Sequence, residues 1–381
     1  MKRGTKYERL TKKFATGEYR LIQERNDFFL PQVISFIEEQ TWDELIPAYQ
    51  RRPVWDGKKK SRFIESLIMN IPIPPIFLFE HELGRYEIMD GQQRTSAIRD
   101  FFSGELKLTG LETWSDLNGL KYEDLPKELK QALSRRRISA TVILNETIAY
   151  GSKSWGDLDL RREVFSRLNS GGVNLSAQEL RNSLYSGPLN SAIIGLAALS
   201  EFTSSWGIPS YNADVKPHDL PEQVRENSMF KRMKDCEYIL RFFTLREPSK
   251  LKGSIKSSMD RFMEANMEIG TQEVENLRQR FTNCVKVSKY IFGQRNFSTK
   301  DKSENWTRAV QAYDGMMLAI DSLGLEWREK NSAWKAAGDD FRERLKSQRF
   351  REEIIDRRTS FQSVKRHKDI FTGLIGEHVG Q

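Results

Sequence analysis

The chain has 381 residues, 38% hydrophobic and 30% charged, which suits two domains or one core domain with a helical extension. Only Cys236 and Cys284 occur, and His81, His218, His367 and His378 lack ligand spacing, so a disulfide framework, a zinc knuckle, a zincin and an HNH-type nuclease pair are excluded. No apolar run approaches a membrane span and residues 1–10 have no apolar core behind their charges, which predicts a cytoplasmic protein with no membrane partner.

Residues 1–25 carry eight Lys or Arg against Glu8, Glu18 and Glu24, and residues 342–368 carry ten against four acids, so both ends are basic. The net charge is only +8, less than the two excesses together, and the interior is therefore slightly acidic. This distribution assigns DNA contact to the flanks, with Arg342, Arg344, Lys346, Arg349 and Arg351 as the candidate phosphate-facing set. The alternative is a solvated charge run.

In chain order, Pro31 and Pro47 bracket an apolar entry segment whose period settles neither helix nor strand. Phe63, Ile64, Leu67 and Ile68 then mark one face of a helix that Pro72 stops. Ile76–Phe79 reads as a buried strand, and Leu83-Gly84-Arg85 turns it into a hairpin partner at Tyr86–Met89. Gly91 follows as a tight turn, and Ala97, Ile98, Phe101 and Phe102 form the apolar face of a helix that starts between Gln92 and Thr95.

This strand-to-helix turn is the chemical centre of the sequence. The first amides of a helix have no acceptor within it and its dipole is positive there, so a phosphate finds donors at Gly91 and Thr95, with Arg94 as a bidentate clamp. Asp90 can position a water or Mg²⁺, and Gln92 or Gln93 can orient the attacking water. The competing reading is structural: Asp90 caps the helix and Arg94 pairs with a carboxylate.

Downstream comes a polar, leucine-punctuated stretch from Leu106 to Leu133, then Arg135-Arg136-Arg137 ahead of a strand at Ile138–Leu144. A metal-nuclease spacing at Asp124, Glu128 and Lys130 lacks the strand it needs and is set aside. Leu160–Leu168 reads as a helix stopped by Gly171-Gly172, and Ser176 with Glu179 as a capping box. From about Leu189 the pattern is helical, with core stripes at Val274, Leu277, Phe281 and Val285, and at Trp306, Ala309, Val310, Tyr313, Met316, Met317 and Ile320. Cys236 and Cys284 fall inside such stripes as small buried residues. The expected divisions are a basic arm and entry segment at 1–40, a nucleotide-binding domain at 41–190 and a helical domain at 191–381.

Four ordered elements resemble the DUF262 family, which includes the N-terminal domain of GmrSD-type restriction endonucleases. They are Gln50-Arg51-Arg52-Pro53-Val54-Trp55-Asp56, the helix at Ser61–Leu67 with its following proline-rich strand entry, Asp90-Gly91-Gln92-Gln93-Arg94, and the block Phe165–Gly172 with Leu175–Asn182. The resemblance spans Leu45 to Gly187 and implies an α+β fold: a small ParB/sulfiredoxin-like mixed core followed by a mainly α-helical C-terminal half. It also implies nucleoside triphosphate binding and hydrolysis at the DGQQR turn, with Arg51, Arg167 and Asn169 as further nucleotide ligands and Mg²⁺ as cofactor. The setting implied is prokaryotic anti-phage defence, with DNA and a nuclease or other defence subunit as partners. The alternative is a ParB-like DNA-binding or nucleotide-sensing module without turnover.

Overall fold

The computed structural model describes residues 2–15, 21–44, 55–144, most of 160–167, 176–215, 217, 219–247, 251–301, 303–330, 332–354 and 360–379. The chain is α+β and divides into two compact units, Met1–Asn174 and Leu175–Gln381.

The first unit runs α1 (Lys2–Ala15), β1 (Gln23–Phe29), α2 (Leu30–Glu38), β2 (Trp42–Glu44), α3 (Gly57–Ile68), β3 (Ile76–Glu82), β4 (Arg85–Asp90), α4 (Gln92–Phe102), α5 (Lys127–Ser134) and β5 (Arg137–Ile143). Its sheet has the order β1-β5-β3-β4-β2. β1 and β5 are antiparallel, as are β3 and β4, whereas β3–β5 and β2–β4 are parallel. The hairpin expected at residues 83–85 is present: Gly84 takes φ 76°, and its N–H donates to Glu80 Oε1 at 3.2 Å. The described part of the entry segment holds α2 and then β2, and Pro31 occupies the first turn of α2, a position whose missing N–H costs no helix hydrogen bond.

One apolar core joins the sheet to α2, α3, α4 and α5, with Ile64, Ile76, Leu78, Ile88, Ile98, Phe101, Leu133 and Ile138 all fully buried. The leucine-punctuated stretch belongs to it. Leu106, Leu108, Leu111, Leu117, Leu125 and Leu133 are each buried, at about 1.5–3 kcal/mol per side chain. Side chains of α3 satisfy the backbone of that irregular segment: Thr109 N–H donates to Ser61 Oγ at 2.9 Å and Trp114 N–H to Glu65 Oε1 at 2.9 Å. Within the arginine run, Arg136 donates to the carbonyls of Leu67 and Ile68 at 3.0 and 3.1 Å, closing the C-terminal end of α3.

The second unit is built from α6 (Ala177–Leu184), α7 (Pro188–Ala197), α8 (Ser200–Trp206), α9 (Lys234–Leu245), α10 (Ile255–Ala265), α11 (Thr271–Phe292), α12 (Val310–Leu323), α13 (Trp334–Arg344), α14 (Gln348–Ile354) and α15 (Phe361–Val379), with shorter turns between. The capping box of α6 forms as expected: Ser176 N–H donates to Glu179 Oε2 at 2.6 Å, and Glu179 N–H to Ser176 Oγ at 3.1 Å. Phe202, Phe281, Phe297 and Tyr313 are fully buried at its centre, and both cysteines are buried thiols. Gly315 admits the ring of Phe371, and Gly338 lies where a side chain would strike the Ile291 carbonyl, so α12 and α13 approach their neighbours closely.

One stripe needs correction. Trp306 lies not in a helix but in a short strand, β7 (Trp306–Arg308), paired with β6 (Ser298–Lys300), and α12 starts only at Val310. The Asp301 carboxylate accepts from the N–H groups of Ser303 and Asn305, each at 2.9 Å, and this polar turn breaks the apparent helical period.

Candidate functional site

The site begins with a backbone requirement. β4 ends at Asp90 and α4 starts at Gln92, so Gly91 must reverse the chain in one residue, at φ 105°. A Cβ there would stand 3.0 and 3.2 Å from Ile76 carbons and 3.2 Å from Arg94 Nη2, so both conformation and space select glycine.

Arg94 then turns inward, its whole residue only 9% exposed. Nη2 donates to Asp90 Oδ2 at 2.8 Å, while Nη1 donates to the Pro74 carbonyl and, at 3.2 Å, to the Pro75 carbonyl. Residues 71–75 lie outside the sheet, so the guanidinium supplies donors that no strand partner provides. Burial pushes the Arg94 pKa below its ordinary value, and the adjacent Asp90 charge opposes that shift.

Around this pair the polar residues divide between solvent and scaffold. The Asp90 side chain is half exposed, at 52%. Gln93 Oε1 accepts from Trp55 N–H at 3.2 Å, while the Trp55 ring packs edge-on against Phe63 at 5.6 Å as part of the core rim. Gln92 is buried at the helix start, and the fully buried Thr95 donates from Oγ1 to the Gln92 carbonyl at 3.0 Å. The Arg94 and Thr95 N–H groups donate to the Gly91 carbonyl at 2.8 and 2.9 Å, so Thr95 spends its donors inside the turn and the remaining amides of the helix start lie ahead of Arg94, beside the exposed Asp90 carboxylate. That combination suits a phosphate bound together with a cation.

The structure thus brings Asp90, Gly91, Gln92, Gln93, Arg94 and Thr95 into one turn. Arg167 is exposed and paired with Glu163 at 2.6 Å. Arg51 and Asn169 lie outside the described residues. Sequence reasoning missed the carbonyls of Pro74 and Pro75, whose only signal is a proline pair that leaves them without a strand partner. It also missed Glu87, which meets Arg161 at 3.1 Å, although a charged residue inside an apolar strand was visible.

Each of the C-terminal cations has a carboxylate neighbour within the second unit. Arg342 pairs with Asp339, Arg344 with Asp340 at 2.9 Å and Glu377 at 2.5 Å, Lys346 with Glu343 at 2.7 Å, and Arg349 with Glu353 at 3.5 Å. Arg351 is buried, donating to the carbonyls of Leu345 and Lys346 at 2.9 and 3.1 Å and meeting Glu304 at 3.1 Å. Asp340, Glu377 and His378 gather their ligand atoms within 4.8 Å, but Arg344 already bonds both carboxylates.

Residues 30–186 match the family model of the GmrSD restriction endonuclease N-terminal domain, the family that the DGQQR turn and its flanking motifs resemble. No curated protein and no solved structure matches the chain. Among the described residues, no helix is long and apolar enough to cross a membrane.

Proposed function

We propose that the first unit binds a nucleoside triphosphate at the β4–α4 turn and hydrolyses it, coupling nucleotide state to DNA recognition or restriction in anti-phage defence. The match of residues 30–186 to a restriction endonuclease domain supports the setting. The observation that carries the chemistry is the half-exposed Asp90 carboxylate beside the opening amides of α4. Phosphate oxygens would meet those amides, and Asp90 would share a Mg²⁺ with them. One carboxylate is an adequate protein share, because Mg²⁺ retains water and takes its remaining ligands from phosphate. Arg94 holds Asp90 and the Pro74-Pro75 segment in register, acting on the phosphates through that geometry.

The competing reading is a nucleotide sensor without turnover, acting with a partner nuclease. It draws support from the engagement of the Arg94 guanidinium and the Gln93 side-chain oxygen inside the protein, which takes that charge and that acceptor away from an attacking water. Phosphate release from a panel of nucleoside triphosphates, with and without DNA, separates the two. Release that depends on Asp90 supports the enzyme; tight binding without release under every condition supports the sensor.

A further inference from the structure

The second unit contains an open cleft of about 1390 Å³ between α7, the 211–213 turn, α11, the C-terminal end of α12 and the 325–328 segment. It exceeds the roughly 300–1,000 Å³ of typical small-molecule pockets, so its dimensions suit an extended ligand. Its acids are satisfied from within. Asp321 accepts from Arg280 Nε at 2.5 Å and from Arg246 Nε at 3.1 Å, Glu326 meets Arg328 at 3.4 Å, and Glu275 accepts from Gln279 at 3.0 Å. The hydrogen bond to Asp321 is the main cause that raises the Arg280 pKa.

Two cations of the cleft have no such counterpart. Arg278 and Lys286 are both half-buried on α11, and neither makes a hydrogen bond or ion pair among the described residues. The Arg278 guanidinium instead rests over Gly195 of α7, within 3.6 Å of where a Cβ would stand. Neither charge is neutralised by an acidic side chain among the described residues of the unit, so each is available to an incoming anion. Eight residues of helix separate the two by about 12 Å, too far for one compact anion and suitable for a ligand with repeated charges.

We infer that this cleft holds the backbone phosphates of a nucleic acid, with Arg278 and Lys286 as separate phosphate contacts. The two aromatic rings of the wall are already engaged. Trp327 packs against Tyr290 and carries Lys330 over its ring at 4.4 Å, while Tyr211 packs against Phe230. The contacts assigned to Arg278 and Lys286 are to the backbone, and so are electrostatic and independent of sequence. The site also supplies what residues 342–351 do not, cations without an acidic partner. It does not depend on turnover at the β4–α4 turn.

The test is fluorescence anisotropy of labelled single-stranded and duplex oligonucleotides, titrated with the full chain at several salt concentrations and without nucleotide. Arg278→Gln/Lys286→Gln should lower affinity for every sequence by about tenfold or more and reduce the log–log salt slope by about 1.5, for two lost phosphate contacts. The reference variant, Arg342→Gln/Lys346→Gln, should change the slope less, and phosphate release without DNA should be unaffected by the cleft substitutions. Unchanged affinity and slope in a cleft variant with wild-type circular dichroism and thermal midpoint would overturn the assignment. So would equal losses in both variants, which would indicate bulk charge, or cleft-dependent capture of polyglutamate without capture of DNA, which would indicate an acidic protein segment.

Discussion

Arg94 Nη2 donates to Asp90 Oδ2 at 2.8 Å across the single residue-wide turn at Gly91, and the same guanidinium holds the carbonyls of Pro74 and Pro75. Removing it should therefore affect folding as well as chemistry. Arg94→Ala is expected to lose about 2–3 kcal/mol in urea unfolding, mostly from the proline carbonyls, because the half-exposed Asp90 can regain water. Arg94→Lys should recover part of that stability. A variant with wild-type stability but no nucleotide binding would instead place the guanidinium on the ligand.

Asp90→Asn preserves shape while removing the charge a Mg²⁺ would need. Turnover should fall at least about 100-fold, whereas nucleotide binding measured by calorimetry in the absence of metal should persist. Equal turnover in Asp90→Asn and wild type would remove Asp90 from the proposed mechanism.

At Gly91 an alanine meets strain from two sources, the φ of 105° and contacts of 3.0–3.2 Å with Ile76 and Arg94. Gly91→Ala should cost about 1–3 kcal/mol in chemical unfolding and weaken nucleotide binding together with stability. Restored binding in a fully folded population at low temperature would show that the glycine serves stability alone.

The Asp340 carboxyl is held below its ordinary range chiefly by the hydrogen bond from Arg344, with His378 adding to it at 3.2 Å. A depressed carboxylate pKa contributes stability that is present above the unfolded value of about 3.9 and lost as pH falls through the lower folded value. The thermal midpoint should accordingly drop in the acid range below about pH 4, and Asp340→Asn should flatten that part of the profile. An identical acid profile in the variant would assign the loss to other carboxylates.

Where local chemistry decided the outcome, the residues declared it. Gly91 read as a turn, Ser176 and Glu179 as a cap, and Ile76–Phe79 with Tyr86–Met89 carried the strand pattern and hairpin turn of what the structure shows as Ile76–Glu82 and Arg85–Asp90. Tertiary decisions were hidden. Whether Arg94 faced a ligand or the Pro74-Pro75 carbonyls depended on where residues 71–75 ran, and Arg351 looked like its exposed neighbours until its carbonyl partners were in place. The leucines between 106 and 125 gave no element, because a segment pegged by side chains has no period, and their burial emerged only with the fold.

The pairing of β1 with β5 sets a timetable for synthesis. Gln23 lies opposite Ile143, a separation of 120 residues, and among the described strands β5 is the one that joins β1 to the rest of the sheet. At about 5–20 residues per second, β1 waits on the order of 6–24 s between its own synthesis and that of its partner. The β3–β4 hairpin and α4 are complete before then, so the turn bearing Asp90 can form while the sheet still lacks its N-terminal edge. During that interval the nascent segment carries Phe28 and Phe29 with no strand to receive them, and dependence on a holding chaperone would be concentrated there.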